Sequence, residues 1–112
     1  MQKSPQRVLS VVSQHALALL GQRIREGRLS RAMTTAELAA RSGLSRSLVQ
    51  RIERGEPGCA IGAVFETAVV CGVALFEPDA PALERSLARQ TEKMALLPKS
   101  VRPARETVDD NF

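Results

Sequence analysis

The sequence predicts an all-α chain of five helices, and three observations carry that prediction. Apolar side chains recur at the helical period in separate stretches. Residues that cap or stop helices set those stretches off, among them Thr34, Gly43, Ser45, Gly55, Gly72 and Asp79. Residues 34 to 55, TTAELAARSGLSRSLVQRIERG, compress the signal into two short helices joined by a tight glycine turn.

Taken in order, Ser4 followed by Pro5 can open a helix, with the hydroxyl as cap and the proline losing nothing by its missing N–H in the first turn. The run VLSVVS also alternates like a short strand, so helix and strand both stay open up to His15, and residues 1–14 read as an N-terminal extension. From Leu17 the period is helical, through Leu20, Gly21 and Ile24, and this first helix is expected to fray near Gly27 or soon after. Thr34 with Glu37 three residues on forms a capping box. It starts a second helix, about Thr35 to Ser42, that buries Leu38 and Ala39. Gly43 ends it in the left-handed conformation that a Cβ resists. Leu44 packs inward, and Ser45 caps a third helix near Arg46 to Arg54, which Gly55 stops.

After the Glu56-Pro57-Gly58 turn, Ile61, Val64, Phe65, Ala68 and Val69 mark the inner stripe of a fourth helix ended by Gly72. Val73 to Phe76 are expected to close the base of the bundle, with Phe65 and Phe76 both in the core. Asp79 caps a fifth helix, about Ala80 to Leu96, with Leu83, Leu87 and Met94 near one stripe. Residues 98–112, with their prolines and with Glu106, Asp109 and Asp110, read as a flexible tail that orders only against something else. The expected organisation is therefore an extension (1–14), a helical domain (15–77), an additional helix (78–97) and a tail (98–112).

Charge divides the chain. Residues 1–55 hold 10 basic and 3 acidic side chains, a net of +7, whereas residues 56–112 hold 6 basic and 9 acidic, a net of −3. An arginine-rich first half points to a polyanion, and the mildly acidic second half to some other task. Two cysteines, Cys59 and Cys71, and one histidine, His15, make neither a zinc set nor a disulfide framework. No metal, cofactor or catalytic constellation is expected, so the chain does not read as an enzyme. Without Trp or Tyr it lacks a stacking platform for single strands or RNA. Its apolar runs are too short to span a bilayer, and a cytoplasmic location is the default.

The third helix is informative on a helical wheel. Val49 and Ile52 share the core side, while Ser47, Gln50, Arg51 and Arg54 fall on the opposite arc and Arg46 sits at the exposed first turn. A polar outer face is ordinary for any surface helix. Three arginines accompanied by a single acid, Glu53, which turns toward the core flank, are less ordinary. This is the composition of a helix that enters the major groove of DNA.

Between Leu19 and Phe76 the chain resembles the Xre family, the Cro and phage-repressor type of helix-turn-helix protein. The resemblance rests on LGQRIREGRLS, on MTTAELAARSGLSRSLVQRIERG with Ala39, Gly43 and Val49 at the sterically sensitive positions, and on the apolar helix that follows. It implies a compact lambda-repressor-like DNA-binding domain and a structural ion pair between Arg28 and Glu53. The family commonly has Gln at the first residue of helix two, where it braces the recognition helix on a phosphate; Thr35 stands there and reaches less far. Arg46, Ser47 and Arg51 are the candidates for base edges, and Gln50 for a base or a phosphate. Arg23, Thr34, Thr35, Ser45 and Arg54 are the candidates for the DNA backbone.

The order of five helices, an LPKSVRP segment and the acidic ending VDDNF further resemble the HipB-type antitoxins encoded beside HipA-type kinase toxins. That resemblance implies a bacterial, nucleoid-associated homodimer that binds an inverted-repeat operator in double-stranded DNA and represses its own operon. It also implies a HipA-type kinase as protein partner, with the extra helix and tail as the place of contact. The other reading is a stand-alone Xre-family regulator of the prophage or restriction-controller kind, which needs no toxin.

Overall fold

Five helices and no extended strand make up residues 8–103, the part of the chain described by the computed structural model. They are α1 (Val11–Ser30), α2 (Thr35–Ser42), α3 (Arg46–Glu53), α4 (Ile61–Val70) and α5 (Ala80–Ala95). Their ends are set by local chemistry. The Thr34 hydroxyl accepts from the Glu37 N–H at 3.0 Å while the Glu37 carboxylate accepts from the Thr34 N–H at 2.8 Å. This reciprocal pair also pulls the Glu37 carboxyl below its ordinary range. Gly43 adopts φ 71°, the left-handed conformation that closes α2, and Leu44 N–H then folds back onto the Ala39 carbonyl at 2.9 Å. Ser45 and Asp79 cap α3 and α5 through the N–H groups of Leu48 and Ala82.

The first helix settles what the sequence left open at its start and ends shortly after Gly27. The proposed Ser4–Pro5 start lies outside the described residues. Within them α1 opens at Val11, with Ser10 as its cap, so the run that alternates like a strand enters a helix. At the other end α1 continues through Gly27 to Ser30. Gly27 is needed there for packing: a Cβ at that position would run into the Cys71 carbonyl and side chain. It marks a close approach of α1 to the end of α4, one turn before α1 ends.

Ile24, Met33, Leu38, Ala39, Val49, Ile52, Ala68 and Cys71 form the buried core, drawn from α1, α2, α3 and α4 and the segments beside them. Burial pushes the Cys71 thiol above its ordinary range. The fourth helix presents Thr67 and Ala68 inward, and Ile61 and Val69 are exposed, which corrects the wider stripe read from the sequence. Val69 lies on the far flank of the Thr67–Ala68–Cys71 face, and Ile61 belongs to the first turn. Phe76 is also corrected: it is 84% exposed, at φ 69°, and touches Phe65 edge-on with ring centroids 6.1 Å apart. The chain reverses between Leu75 and Glu77, which turns the intervening ring outward.

No residue of α5 is buried. Its start is tied back by the Ser86 hydroxyl, which donates to the Glu77 carboxylate at 2.8 Å. Leu83, Leu87 and Met94 are exposed. The amphipathic stripe is therefore present, and among the described residues only its first member, Leu83, is partly covered, beside Val69 and Val73.

Candidate nucleic-acid interface

Three constraints fix the angle of α3. At its start, the Gly43 turn joins it to α2. In its last turn it lies almost backbone to backbone against α1: a Cβ on Gly21 would sit 2.6 Å from the Ile52 carbonyl oxygen and 2.7 Å from that of Glu53. Near its end, Arg28 of α1 grips Glu53. The Arg28 Nε donates to Glu53 Oε2 at 2.7 Å, Nη2 donates to Oε1 at 3.0 Å, and Nη1 donates to the Met33 carbonyl at 3.0 Å. The two side chains are only 9% and 8% exposed. The fork-to-fork geometry satisfies both carboxylate oxygens and gives each guanidinium nitrogen a partner. The hydrogen bonds it donates to Glu53 outweigh the opposing effect of burial and raise the Arg28 guanidinium above its ordinary range. Arg28 thus links α1, the α1–α2 connection and α3.

On the outer side of α3, Arg46, Ser47, Gln50 and Arg54 are exposed and Arg51 is half-buried. Val49 and Ile52 are buried on the other side. The base-edge candidates and Gln50 therefore share one face with Arg54. The remaining backbone candidates are more dispersed. The Thr34 and Ser45 hydroxyls already accept the N–H groups of Glu37 and Leu48, which leaves each O–H proton as the group that could meet a phosphate oxygen. Thr35 is half-buried in the first turn of α2. Arg23 lines a surface hollow with Arg31, Cys71 and Gly72, on the α4 side of α1.

Two side chains that sequence reasoning passed over belong to this surface. Arg25 lines a shallow notch with Arg28, Gln50, Glu53 and Arg54, beside the outer face of α3. It lies on the helical stripe of Gly21 and Arg28, the stripe that faces α3, and that spacing was a usable signal. The other is Glu56, read only as part of a turn. Its carboxylate accepts from Arg51 Nε at 3.3 Å and from Arg54 Nε at 2.7 Å. The signal was Gly55: with φ 73° it ends the helix so that the next residue folds back, and Glu56 N–H donates to the Arg51 carbonyl at 3.1 Å. The arginines, Arg54 foremost through its hydrogen bond, hold the Glu56 carboxyl below its ordinary range.

Among the described residues, no three His, Cys, Asp or Glu side chains come together as a metal set would require, and no helix is long and apolar enough to cross a membrane. Residues 19–79, more than half of the chain, match the model of a family described as a helix-turn-helix domain. No curated protein matches the chain.

Proposed function

The chain belongs to the helix-turn-helix domain family, and from that premise we propose that it is a sequence-specific repressor that binds double-stranded DNA through α3. The observation that carries this reading is the outer face of α3, with Arg46, Ser47, Gln50, Arg51 and Arg54 together on a helix whose angle is locked by the buried Arg28–Glu53 pair. A short helix held rigidly with arginines outward suits the major groove, where an arginine reads the two acceptors of guanine. Arg46, Ser47 and Arg51 take the base edges. Arg54, Arg25 and the Thr34, Thr35 and Ser45 hydroxyls take the backbone, with Arg23 farther along α1.

The two contact classes respond differently to substitution. Arg54→Ala is expected to weaken binding to all duplexes alike and to lower the salt slope by about one. Arg51→Ala is expected to cost about 1–3 kcal/mol on the preferred site and little elsewhere. Fluorescence anisotropy across a salt series, on the preferred and a scrambled duplex, separates them. A uniform loss for Arg51→Ala would move that residue to the backbone class.

The same reading makes the protein a homodimer on an inverted-repeat operator, since one recognition helix reads too few base pairs. Leu83, Leu87, Met94 and Leu97 lie on a heptad-like stripe of exposed positions at α5 and just beyond it, broken by Gln90, and such a stripe suits a helix that pairs with a copy of itself. Leu87→Lys is then expected to raise the dimer dissociation constant roughly tenfold or more, since it puts a charge into an apolar seam. Sedimentation equilibrium measures it, and an unaltered constant would exclude α5 as the seam.

The biological role proposed is that of a bacterial antitoxin, cytoplasmic and nucleoid-associated, which represses its own operon and neutralises a HipA-type kinase toxin without catalysing a reaction itself. Support comes from the net charge of −3 in residues 56–112 and from the tail sequence beyond α5. Co-expression with the product of the adjacent gene tests it: recovery of a stable complex with a kinase is expected. Footprinting of the operon's own upstream region, with no partner captured, would leave the stand-alone regulator.

A further inference from the structure

We propose that Glu56 is a positioning residue of the DNA interface, which sets sequence selectivity by holding Arg51 for bases and withholding it from phosphates. The inference rests on α3 being the DNA reader. Glu56 engages both Arg51 and Arg54 through their Nε atoms, at 3.3 and 2.7 Å. Among the described residues neither arginine has a hydrogen-bond partner for its terminal nitrogens. In Arg51 this leaves free the Nη1–Nη2 edge, with which an arginine can meet the paired acceptors of guanine.

The consequence follows from how an unrestrained arginine behaves. Its long side chain has several rotamers, and next to a duplex most of them lead to a phosphate. Such contacts strengthen binding to every sequence equally. Glu56 opposes them twice. An Arg51 that swings to a phosphate gives up its partner, and it leaves the Glu56 carboxylate with Arg54 alone to offset its charge before the DNA polyanion. An Arg51 that meets guanine keeps the carboxylate at Nε and spends only its free edge. Glu56 therefore penalises the wrong mode of binding more than the right one. Arg54, bound to the same carboxylate, is likewise partly neutralised until a phosphate competes for it. The position is backed by the main chain, because the Glu56 N–H is anchored on the Arg51 carbonyl at 3.1 Å.

The experiment uses the full chain, a duplex selected by that chain from a random-sequence pool, and a scrambled duplex of equal length. Glu56→Ala is expected to narrow the ratio of the two affinities by about tenfold, within the range that one arginine–guanine contact supplies. On the scrambled duplex it should tighten binding and steepen the salt slope by about one phosphate equivalent. In an Arg51→Ala background the same substitution should leave the ratio unchanged. A ratio kept within about twofold in the native background overturns the proposal, as does a ratio that still narrows once Arg51 is gone. Failure of the native chain to select any duplex is a separate result, which refutes α3 as a DNA reader. Glu56 is half exposed on a turn, so the melting temperature should stay put and the variant should fold.

Discussion

Replacing Glu53 by alanine is expected to cost about 3–5 kcal/mol of folding stability, because it strands a buried guanidinium. Arg28 is 8% exposed and directs two of its donors at Glu53. Without the carboxylate it keeps only the Met33 carbonyl, and its charge stays in a place that water scarcely reaches. At roughly 4–8 °C per kcal/mol for a domain of this size, the loss should show as a fall of more than about 10 °C in melting temperature. Glu53→Gln keeps one acceptor but not the charge and should fall between. The double replacement Arg28→Met with Glu53→Leu should recover most of the loss, since a buried pair is often no better than well-packed apolar side chains. DNA affinity distinguishes the two repairs. The double variant restores packing without the fork that fixes the end of α3, so it should melt near the native temperature and still bind the selected duplex more weakly. Urea unfolding and anisotropy on the native protein and these three variants check both effects, and a Glu53→Ala protein that melts within a degree or two of native would exclude this role for the pair.

How much of this was readable beforehand depends on how local the cause is. The bounds of α2, Thr35–Ser42, and the start of α3 at Arg46 follow from side chains within four residues of each end, and sequence reasoning reached them. The two faces of α3 follow from helical phase alone, so its outer arc was legible as well. What escaped depends on partners distant in sequence. Gly27 looks like a mere weakening of the helix until Cys71 is seen packed against it. Phe76 looks like core until the Leu75–Glu77 reversal turns it out. Glu56 looked like turn filler because its importance arises from a backbone bond to Arg51. The antitoxin reading is of another kind again, since it concerns a second molecule and no intramolecular packing bears on it.

Gly21→Ala is the case in which local and distant causes pull in opposite directions, and we expect the distant one to win. In the middle of a helix, alanine is favoured over glycine by about 1 kcal/mol. Gly62 of α4, whose Cβ would enter open space, should follow that rule and gain up to that amount. At Gly21 the new methyl would sit 2.6 and 2.7 Å from two carbonyl oxygens of α3, well inside van der Waals contact. Those are backbone atoms, so no rotamer change relieves the overlap; α1 and α3 must move apart by several tenths of an ångström. Overpacking of that kind costs about 1–3 kcal/mol, and the propensity gain offsets only about 1 kcal/mol of it. The movement also lengthens the Arg28–Glu53 hydrogen bonds, because Arg28 lies two turns further along the same face of α1. Stability and DNA recognition should therefore fall together: a lower urea midpoint than native, and weaker binding to the selected duplex under conditions where the protein is still folded. Equal or greater stability for Gly21→Ala, as for Gly62→Ala, would mean that the α1–α3 approach is looser than the geometry shows and that α3 is not held by it.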